Sequence, residues 1–134
     1  MIDAFEPLTI LIADDNVTDR LLLSSIVRRQ GHSVVTAGDG QEAVDVFRQV
    51  RPQLVLLDAM MPVMDGFQAA REIKRLAGES LVPIIFLTSL SEEQALVRCL
   101  EAGGDDFLAK PYNQVILAAK IVATGLQAAH QCLL

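Results

Sequence analysis

The sequence predicts an α/β protein with a doubly wound, parallel sheet of five strands. Short apolar runs alternate five times with longer amphipathic stretches, which is the pattern of β/α units. The apolar residues are mostly Leu, Val, Ile and Ala, with no Trp and one Tyr, as expected for strands that are buried on both faces. A length of 134 residues is typical of one domain with one core.

Each predicted strand is a short apolar run that ends at a polar residue or a turn. The strands are expected at residues 8–13, 33–37, 53–58, 83–88 and 105–109. The amphipathic stretches between them predict helices at about 17–30, 40–50, 65–77, 91–103 and 113–130.

Several helix ends carry recognisable signals. The first helix ends in cations followed by Gly31, which is expected at the C′ position. The second stops before Arg51 and Pro52. Ser91 is a plausible N-cap of the fourth helix, with Gln94 at the capping-box position.

Polar side chains follow four of the predicted strands. Asp14 and Asp15 follow the first, Asp58 ends the third, Thr88 ends the fourth, and Lys110 follows the fifth. For five strands with right-handed crossovers, the flavodoxin-like order 2-1-3-4-5 is the leading choice. That order makes strands one and three neighbours, so we expect these side chains to meet at the carboxyl edge of the sheet, where ligands bind.

Three carboxylates in one place predict a metal site. Asp14, Asp15 and Asp58 would repel one another, and a hard divalent cation such as Mg²⁺ would relieve that repulsion. The alternative is that Asp14 or Asp15 simply caps the first helix. The cap is the better interpretation for either residue alone, and the metal is the better one for all three together.

Asp58 differs because it ends a central apolar strand, where a carboxylate is costly unless it is paired or used. A carboxylate can attack phosphorus to give an aspartyl phosphate. Lys110 could neutralise the phosphoryl charge, Thr88 could donate a hydrogen bond to it, and the backbone N–H of Ser89 could approach it. Taken singly, Lys110 would be a solvated loop lysine and Thr88 a residue chosen for its β propensity.

Four segments in order carry a family resemblance. They are residues 12–16, 56–66, 86–89 and 105–111. With these segments, the chain resembles the response-regulator receiver domain of bacterial two-component signalling over about residues 8–125, so that residues 1–134 would form a single receiver domain. The resemblance implies the flavodoxin-like (βα)5 fold.

The resemblance also implies a phosphoacceptor site. Asp58 would take a phosphoryl group from the phosphohistidine of a histidine kinase or a histidine phosphotransfer protein. Asp15, Asp58 and the backbone carbonyl of Met60 would bind Mg²⁺, or Mn²⁺ in its place, and Asp14 would act largely through metal-bound water. The backbone at Met60 and Ser89 would contact the phosphoryl group.

The same resemblance assigns a switch. Lys110 would hold the phosphoryl group and pair with Asp58 when Asp58 is unmodified. Thr88 would move toward the phosphate, and Phe107 would be the aromatic residue that turns inward with it. The resemblance further implies a cis peptide bond between Lys110 and Pro111.

The resemblance to receiver domains implies that two apolar residues flank the path of attacking water. They are Met60, two residues after Asp58, and Leu90, two residues after Thr88. Neither side chain can orient water by hydrogen bonding, so we expect a long-lived phosphoryl state.

The signal is expected to leave through a surface. We find no DNA-binding or catalytic motif after the last helix, and the resemblance points to the face of the fourth helix, fifth strand and fifth helix as the contact for an output domain or effector. The last helix ends in apolar residues, for which three explanations compete. It continues into a linker, coiled coil or output domain of a longer protein, it forms a homodimer, or it folds back. We favour the first.

Composition limits the class of protein. A net charge of −6 argues against direct nucleic-acid binding. No apolar stretch reaches the ~20 residues of a membrane span, and the N-terminus lacks signal-peptide features, so we expect a cytoplasmic protein without membrane contact. Cys99 and Cys132 are expected to be reduced thiols, and His32 and His130 to have surface or loop roles.

Three rival functions are weaker. A phosphohydrolase of the haloacid-dehalogenase type would place a second Asp where Met60 stands, so no proton donor for turnover is present. We therefore expect a signalling domain rather than an enzyme. A pseudo-receiver, which binds proteins without taking phosphate, is disfavoured by the intact polar set. A nucleotide- or flavin-binding protein would need a Gly-rich loop after the first strand.

Overall fold

The computed structural model describes residues 7–89, 92–111 and 113–133, and in these ranges strands and helices alternate strictly. The strands are β1 (Thr9–Ala13), β2 (Ser33–Ala37), β3 (Leu54–Asp58), β4 (Ile84–Thr88) and β5 (Asp106–Ala109). The helices are α1 (Val17–Arg29), α2 (Gly40–Val50), α3 (Gly66–Ala77), α4 (Glu92–Glu101) and α5 (Gln114–Leu133).

The five strands form one parallel sheet in the order β2-β1-β3-β4-β5, which confirms the predicted fold class and strand order. In this register Ala13 on β1 lies opposite Leu57 on β3, and Thr88 on β4 lies opposite Ala109 on β5. The residues that follow these pairs therefore leave the sheet side by side at its carboxyl edge.

Alternate residues of the strands face two separate apolar layers. Leu11, Val55 and Ile84 belong to the layer that includes residues of α2, α3 and α4. Ile10 and Leu56 belong to the layer that includes residues of α1 and α5. Because both faces are covered, the strands read as nearly continuous apolar runs in the sequence.

Helix starts are fixed by side-chain caps. Asn16, Asp39 and Asp65 each accept a hydrogen bond from the backbone N–H three residues later, an interaction worth about 1 kcal/mol in a typical helix. The cap of α1 is therefore Asn16, so neither Asp14 nor Asp15 is needed as one. At the other end of α1, Gly31 has a φ of 92°, as expected for a residue at C′.

Most boundaries lie within one residue of the prediction, and the larger differences are at the ends of α4 and α5. β5 begins at Asp106, one residue later than predicted, although the Asp105 N–H already donates to the Ile84 carbonyl of β4 at 2.9 Å. The Oδ2 of Asp105 accepts a hydrogen bond from the Ile84 N–H at 2.8 Å and pairs with Lys74 Nζ at 3.0 Å. α4 ends at Glu101, before the predicted residue 103, because Gly103 takes a φ of 86°.

Of the surface or loop role expected for His32, the loop position is confirmed and the surface position is wrong. His32 lies in the loop between α1 and β2, but it is buried, and its Nδ1 accepts a hydrogen bond from the Leu8 N–H at 3.0 Å. Burial lowers the pKa of this imidazole. The neutral imidazole therefore accepts a hydrogen bond that links the residue before β1 to the loop before β2.

The buried Cys99 is a free thiol, and burial raises its pKa to about 11, which makes it unreactive at neutral pH. The predicted cap Ser91, the apolar Leu90, and the side chains of His130 and Cys132 lie outside the described residues.

α5 has one buried and one exposed side at its start. Leu117 and Ile121 are fully buried against the sheet, whereas Val115 and Ile116 are exposed. Among the described residues, no helix combines the length and the apolar character that a membrane span requires.

Candidate functional site

Three carboxylates meet at the carboxyl edge of the sheet. Asp14 and Asp15 follow β1, and Asp58 is the last residue of the neighbouring β3. One oxygen from each of the three lies within 4.8 Å of the others. The predicted acidic cluster is therefore present in the geometry, and it combines two buried carboxylates with the exposed one of Asp15.

Asp14 is completely buried, and both its carboxylate and its backbone carbonyl accept hydrogen bonds. Its Oδ1 accepts the Asn16 N–H at 2.9 Å, and its Oδ2 accepts a hydrogen bond from Lys110 Nζ at 3.0 Å. Its backbone carbonyl accepts a hydrogen bond from the Arg20 guanidinium at 2.7 Å. These contacts offset the cost of burying the charge and hold the carboxylate in one orientation.

Asp58 is 5% exposed. Its Oδ1 accepts the Met60 N–H at 3.2 Å, and its Oδ2 lies 3.4 Å from Lys110 Nζ. Burial raises the pKa of this carboxyl to about 6, and the charge of Asp14 acts in the same direction, against the lowering effects of the Met60 N–H and of Lys110. The folded protein therefore stabilises the charged form of Asp58 less well than water does.

Lys110 is the cation of the site. Its Nζ contacts Asp14 at 3.0 Å and both Asp19 and Asp58 at 3.4 Å. Burial lowers the pKa of Lys110, but the hydrogen bond to Asp14 and the charges of Asp58, Asp14 and Asp19 outweigh burial and leave that pKa above its ordinary value. The expected pair with Asp58 is present, although the shortest contact is to Asp14.

The hydroxyl residues lie at the end of β4. Thr88 is fully buried, one position after Leu87, which pairs with Asp58 across the strands. Ser89 lines a cavity of about 450 Å³ whose other lining residues are Asp19, Leu22, Lys110 and Pro111. This cavity opens beside the ammonium group of Lys110.

The loop after Asp58 is closely packed. A Cβ added to Gly66 would come 2.0 Å from the Asp58 carbonyl oxygen, so only glycine fits there. Val63 in the same loop has a φ of 70°, a left-handed conformation that is unusual for a β-branched residue, and its side chain is 82% exposed. The side chain of Met60 is also exposed.

Two further expectations concern β5. The peptide bond between Lys110 and Pro111 is cis, as predicted. Phe107 lies opposite Phe86 in the sheet, and its half-buried ring packs against the apolar layer on the α2, α3 and α4 side.

Asp19 and Arg20 were not predicted as part of the site. Both lie in the first turns of α1, and they reach Lys110 and the Asp14 carbonyl respectively. The sequence did contain one indication, which is that both residues follow β1 closely. A helix that starts directly after a strand places its first turns beside the carboxyl edge of the sheet. The rotation of the helix, which the sequence does not specify, decides which side chains reach the site.

Comparison with known proteins agrees with this geometry. The family model described as the response regulator receiver domain matches residues 10–122. The chain is 40% identical over 112 residues to the "Probable transcriptional regulator ycf27" of Cyanophora paradoxa, covering 84% of this chain and 46% of that protein. The chain spans about half the length of the curated relatives it matches.

Two solved structures are similar in fold and sequence. One is the receiver domain of sensor histidine kinase PA1611 from Pseudomonas aeruginosa PAO1, which has a magnesium ion coordinated in its active site cleft. It has a TM-score of 0.79 and 32% identity, and the match covers 91% of this chain and 99% of that chain.

The other is the receiver domain of Ssk1 from Saccharomyces cerevisiae, crystallised with the histidine phosphotransfer protein Ypd1. It has a TM-score of 0.84 and 31% identity, and the match covers 92% of this chain and 93% of that chain. With a family model over most of its length and with this sheet, the chain belongs to the response regulator receiver domain family.

Proposed function

We propose that this domain is a phosphorylatable switch in which Asp58 is the phosphoacceptor. The observation that carries this proposal is the pairing of the buried Asp58 with Lys110 at 3.4 Å, beside the carboxylates of Asp14 and Asp15. A nucleophile, a cation and a set of metal-ligand oxygens thus lie together at one edge of the sheet.

The carboxylates fit a divalent cation. Oxygen ligands within 4.8 Å of one another suit Mg²⁺, which binds one or two carboxylates and keeps several waters. Mn²⁺ would suit the same ligands. Asp15, Asp58 and the backbone carbonyl of Met60 would hold the ion, with Asp14 acting through its waters. When bound, the ion would neutralise charge on the transferring phosphoryl group.

The residues of the chain would share the transfer step. A carboxylate oxygen of Asp58 attacks the phosphorus, and the P–N bond of the donor phosphohistidine breaks with its electron pair going to the ring nitrogen. Lys110 would then hold the phosphoryl oxygens, together with the backbone N–H groups of Met60 and Ser89. The hydroxyl of Thr88 would donate a hydrogen bond to the new phosphoryl group. Phe107 would turn inward as Thr88 moves.

The donor is proposed to be a histidine kinase or a histidine phosphotransfer protein. Support comes from the Ssk1 receiver domain, which was crystallised with such a phosphotransfer protein. The output is proposed to leave through the face of α4, β5 and α5, toward an output domain, an effector or a second copy of the chain. Leu96, Val97 and Leu100 of α4 and Val115 of α5 are exposed, which suits a contact surface.

The test is incubation with Mg²⁺ and acetyl phosphate, followed by intact mass measurement. The wild type should gain the mass of one phosphoryl group, Asp58→Ala should gain none, and chelation of Mg²⁺ should prevent the gain. A wild type that gains no mass with Mg²⁺ present would favour the pseudo-receiver instead.

The phosphoryl state is proposed to be long-lived because Met60 cannot orient an attacking water. The double variant Met60→Asn with Leu90→Glu should shorten the lifetime of the phosphorylated protein, by about tenfold if each polar group contributes to positioning water. The decay of the phosphorylated mass with time measures this. An unchanged decay rate would contradict the role assigned to these two positions.

A further inference from the structure

A fourth carboxylate faces Lys110 from the side of α1. The Oδ2 of Asp19 lies 3.4 Å from Lys110 Nζ, and its side chain is 34% exposed. Asp19 is not one of the three carboxylates that could share a metal ion, which are Asp14, Asp15 and Asp58. Its charge therefore acts on Lys110 and on the open space beside it.

That space is the cavity of about 450 Å³ lined by Asp19, Leu22, Ser89, Lys110 and Pro111. Lys110 Nζ is equally close to Asp58 and to Asp19, at 3.4 Å from each. The Asp19 and Asp58 oxygens can therefore be no more than twice that distance apart, so the charge of Asp19 lies within about 7 Å of the oxygen that would attack phosphorus. That distance is shorter than the Debye length of about 8 Å at physiological salt, so the charge of Asp19 interacts with charge that develops at the reacting group.

We propose that Asp19 is a specificity-determining residue, which favours phosphodonors that release a neutral nitrogen base over phosphodonors that release a carboxylate. This inference rests on the proposed phosphoacceptor function and adds to it a residue that selects between classes of donor.

The two kinds of transfer differ in charge. In a phosphohistidine protonated on its other ring nitrogen, the P–N electron pair goes to the ring, and neutral imidazole leaves without any further proton. In acetyl phosphate, the P–O electron pair goes to oxygen, and an acetate anion leaves. Nothing is oxidised or reduced in either case. Asp19 attracts the cationic ring of the first donor and repels the negative charge that develops on the second.

The experiment compares two small donors at subsaturating concentration with saturating Mg²⁺. Phosphoramidate carries a protonated nitrogen and releases ammonia, whereas acetyl phosphate is more negative and releases acetate. The ratio of their second-order rate constants is measured for the wild type and for Asp19→Asn. The substitution also frees Lys110 from Asp19, which would change both rate constants by the same factor. The ratio of the two rate constants cancels that common factor.

The ratio of phosphoramidate to acetyl phosphate should fall about threefold to tenfold in Asp19→Asn, as expected for loss of one partly exposed charge near the reacting group. The difference in this ratio between the wild type and Asp19→Asn should become smaller as the salt concentration is raised. Asp19→Glu, which keeps the charge, should stay near the wild-type ratio. Asp45→Asn, which removes an exposed charge of α2, should leave the ratio unchanged.

An unchanged ratio in Asp19→Asn, or an equal change in Asp45→Asn, would overturn the inference while leaving the phosphoacceptor function intact. A wild type that neither donor labels, or labelling that survives Asp58→Ala, would instead overturn the proposed function itself and the inference with it.

Discussion

At the residue scale, the central feature is a carboxylate placed where the folded protein stabilises it poorly. Asp58 is buried at a strand end, and its pKa is raised to about 6, chiefly by burial. Because an acid with a raised pKa is less stable in its charged form when folded than when unfolded, Asp58 reduces stability at neutral pH. Such a cost is common at functional sites.

Asp58→Asn should therefore increase the free energy of unfolding at pH 7 in metal-free buffer, by about 1–2 kcal/mol. The amide keeps an oxygen that can accept the Met60 N–H but carries no charge. Urea denaturation measures the change, and the exposed Asp45→Asn serves as the control, with an expected effect near zero. A variant less stable than the wild type would contradict this, because it would mean that the attraction of Lys110 for Asp58 exceeds the cost of burying the carboxylate.

Asp15 provides the test of metal binding that disturbs the fold least, because it is the exposed member of the cluster. Mg²⁺ at ten times its dissociation constant should stabilise the wild type by about 1.4 kcal/mol, since an ion that binds only the folded state stabilises it by RT ln(1 + [Mg²⁺]/Kd). Asp15→Asn should lose most of this stabilisation, whereas Asp45→Asn should keep it. Thermal unfolding with and without Mg²⁺ checks both. Equal stabilisation of both variants would place the metal elsewhere.

At the scale of elements, the loop from β3 to α3 positions Asp58, the proposed phosphoacceptor. Gly66 opens α3, and its N–H donates to the Ala59 carbonyl at 2.8 Å. A side chain at Gly66 would meet the backbone of Asp58 and Ala59, neither of which can move without displacing β3.

Gly66→Ala should consequently cost about 3 kcal/mol of stability and slow phosphorylation, as overpacking against backbone does. Gly125→Ala is the control, because, among the side chains that the structure describes, its Cβ would contact only that of Leu8, at 3.4 Å, within a helix. That change should be neutral or stabilising. Denaturant unfolding and the rate of mass gain are the readouts, and similar results for the two variants would contradict this account of the loop.

The junction of α1 and β2 contains the buried His32, whose Nδ1 accepts the Leu8 N–H. Its pKa lies below the ordinary value because burial disfavours the cation. As the pH falls through the ordinary range of His, the unfolded chain takes up a proton that the folded chain resists, so stability decreases toward acid.

His32→Asn should weaken this pH dependence, because the amide oxygen can still accept the Leu8 N–H but does not titrate. The loss of melting temperature between pH 7 and pH 5.5 should be smaller than in the wild type by roughly 2–4 °C. Thermal unfolding across that range measures it. If the variant lost as much melting temperature as the wild type between pH 7 and pH 5.5, groups other than His32 would cause the loss of stability in acid.

At the scale of the whole molecule, the sequence predicted what depends on periodicity and on strand ends. Apolar runs located the strands, and their polar ends placed Asp14, Asp58 and Lys110 at one edge, because parallel strands align their carboxyl ends there. The order 2-1-3-4-5 followed from strand number and crossover handedness.

Features that depend on tertiary packing were not predicted. Asp19 reaches Lys110 because of the rotation of α1, and His32 is buried because the chain before β1 donates to it. The side chain of Asp105 accepts hydrogen bonds from the Ile84 N–H and from Lys74. The left-handed conformation of Val63 opposes its local preference. Each depends on a partner distant in sequence or on the packing of a whole loop.

The most direct measurement locates the phosphoryl group itself. The protein is phosphorylated with Mg²⁺ and acetyl phosphate, then treated with borohydride, which reduces an aspartyl phosphate to homoserine, and the peptides are sequenced by mass spectrometry. The account predicts homoserine at position 58 and unmodified aspartate at positions 14, 15 and 19. Homoserine at one of those other positions, with Asp58 unmodified, would contradict it.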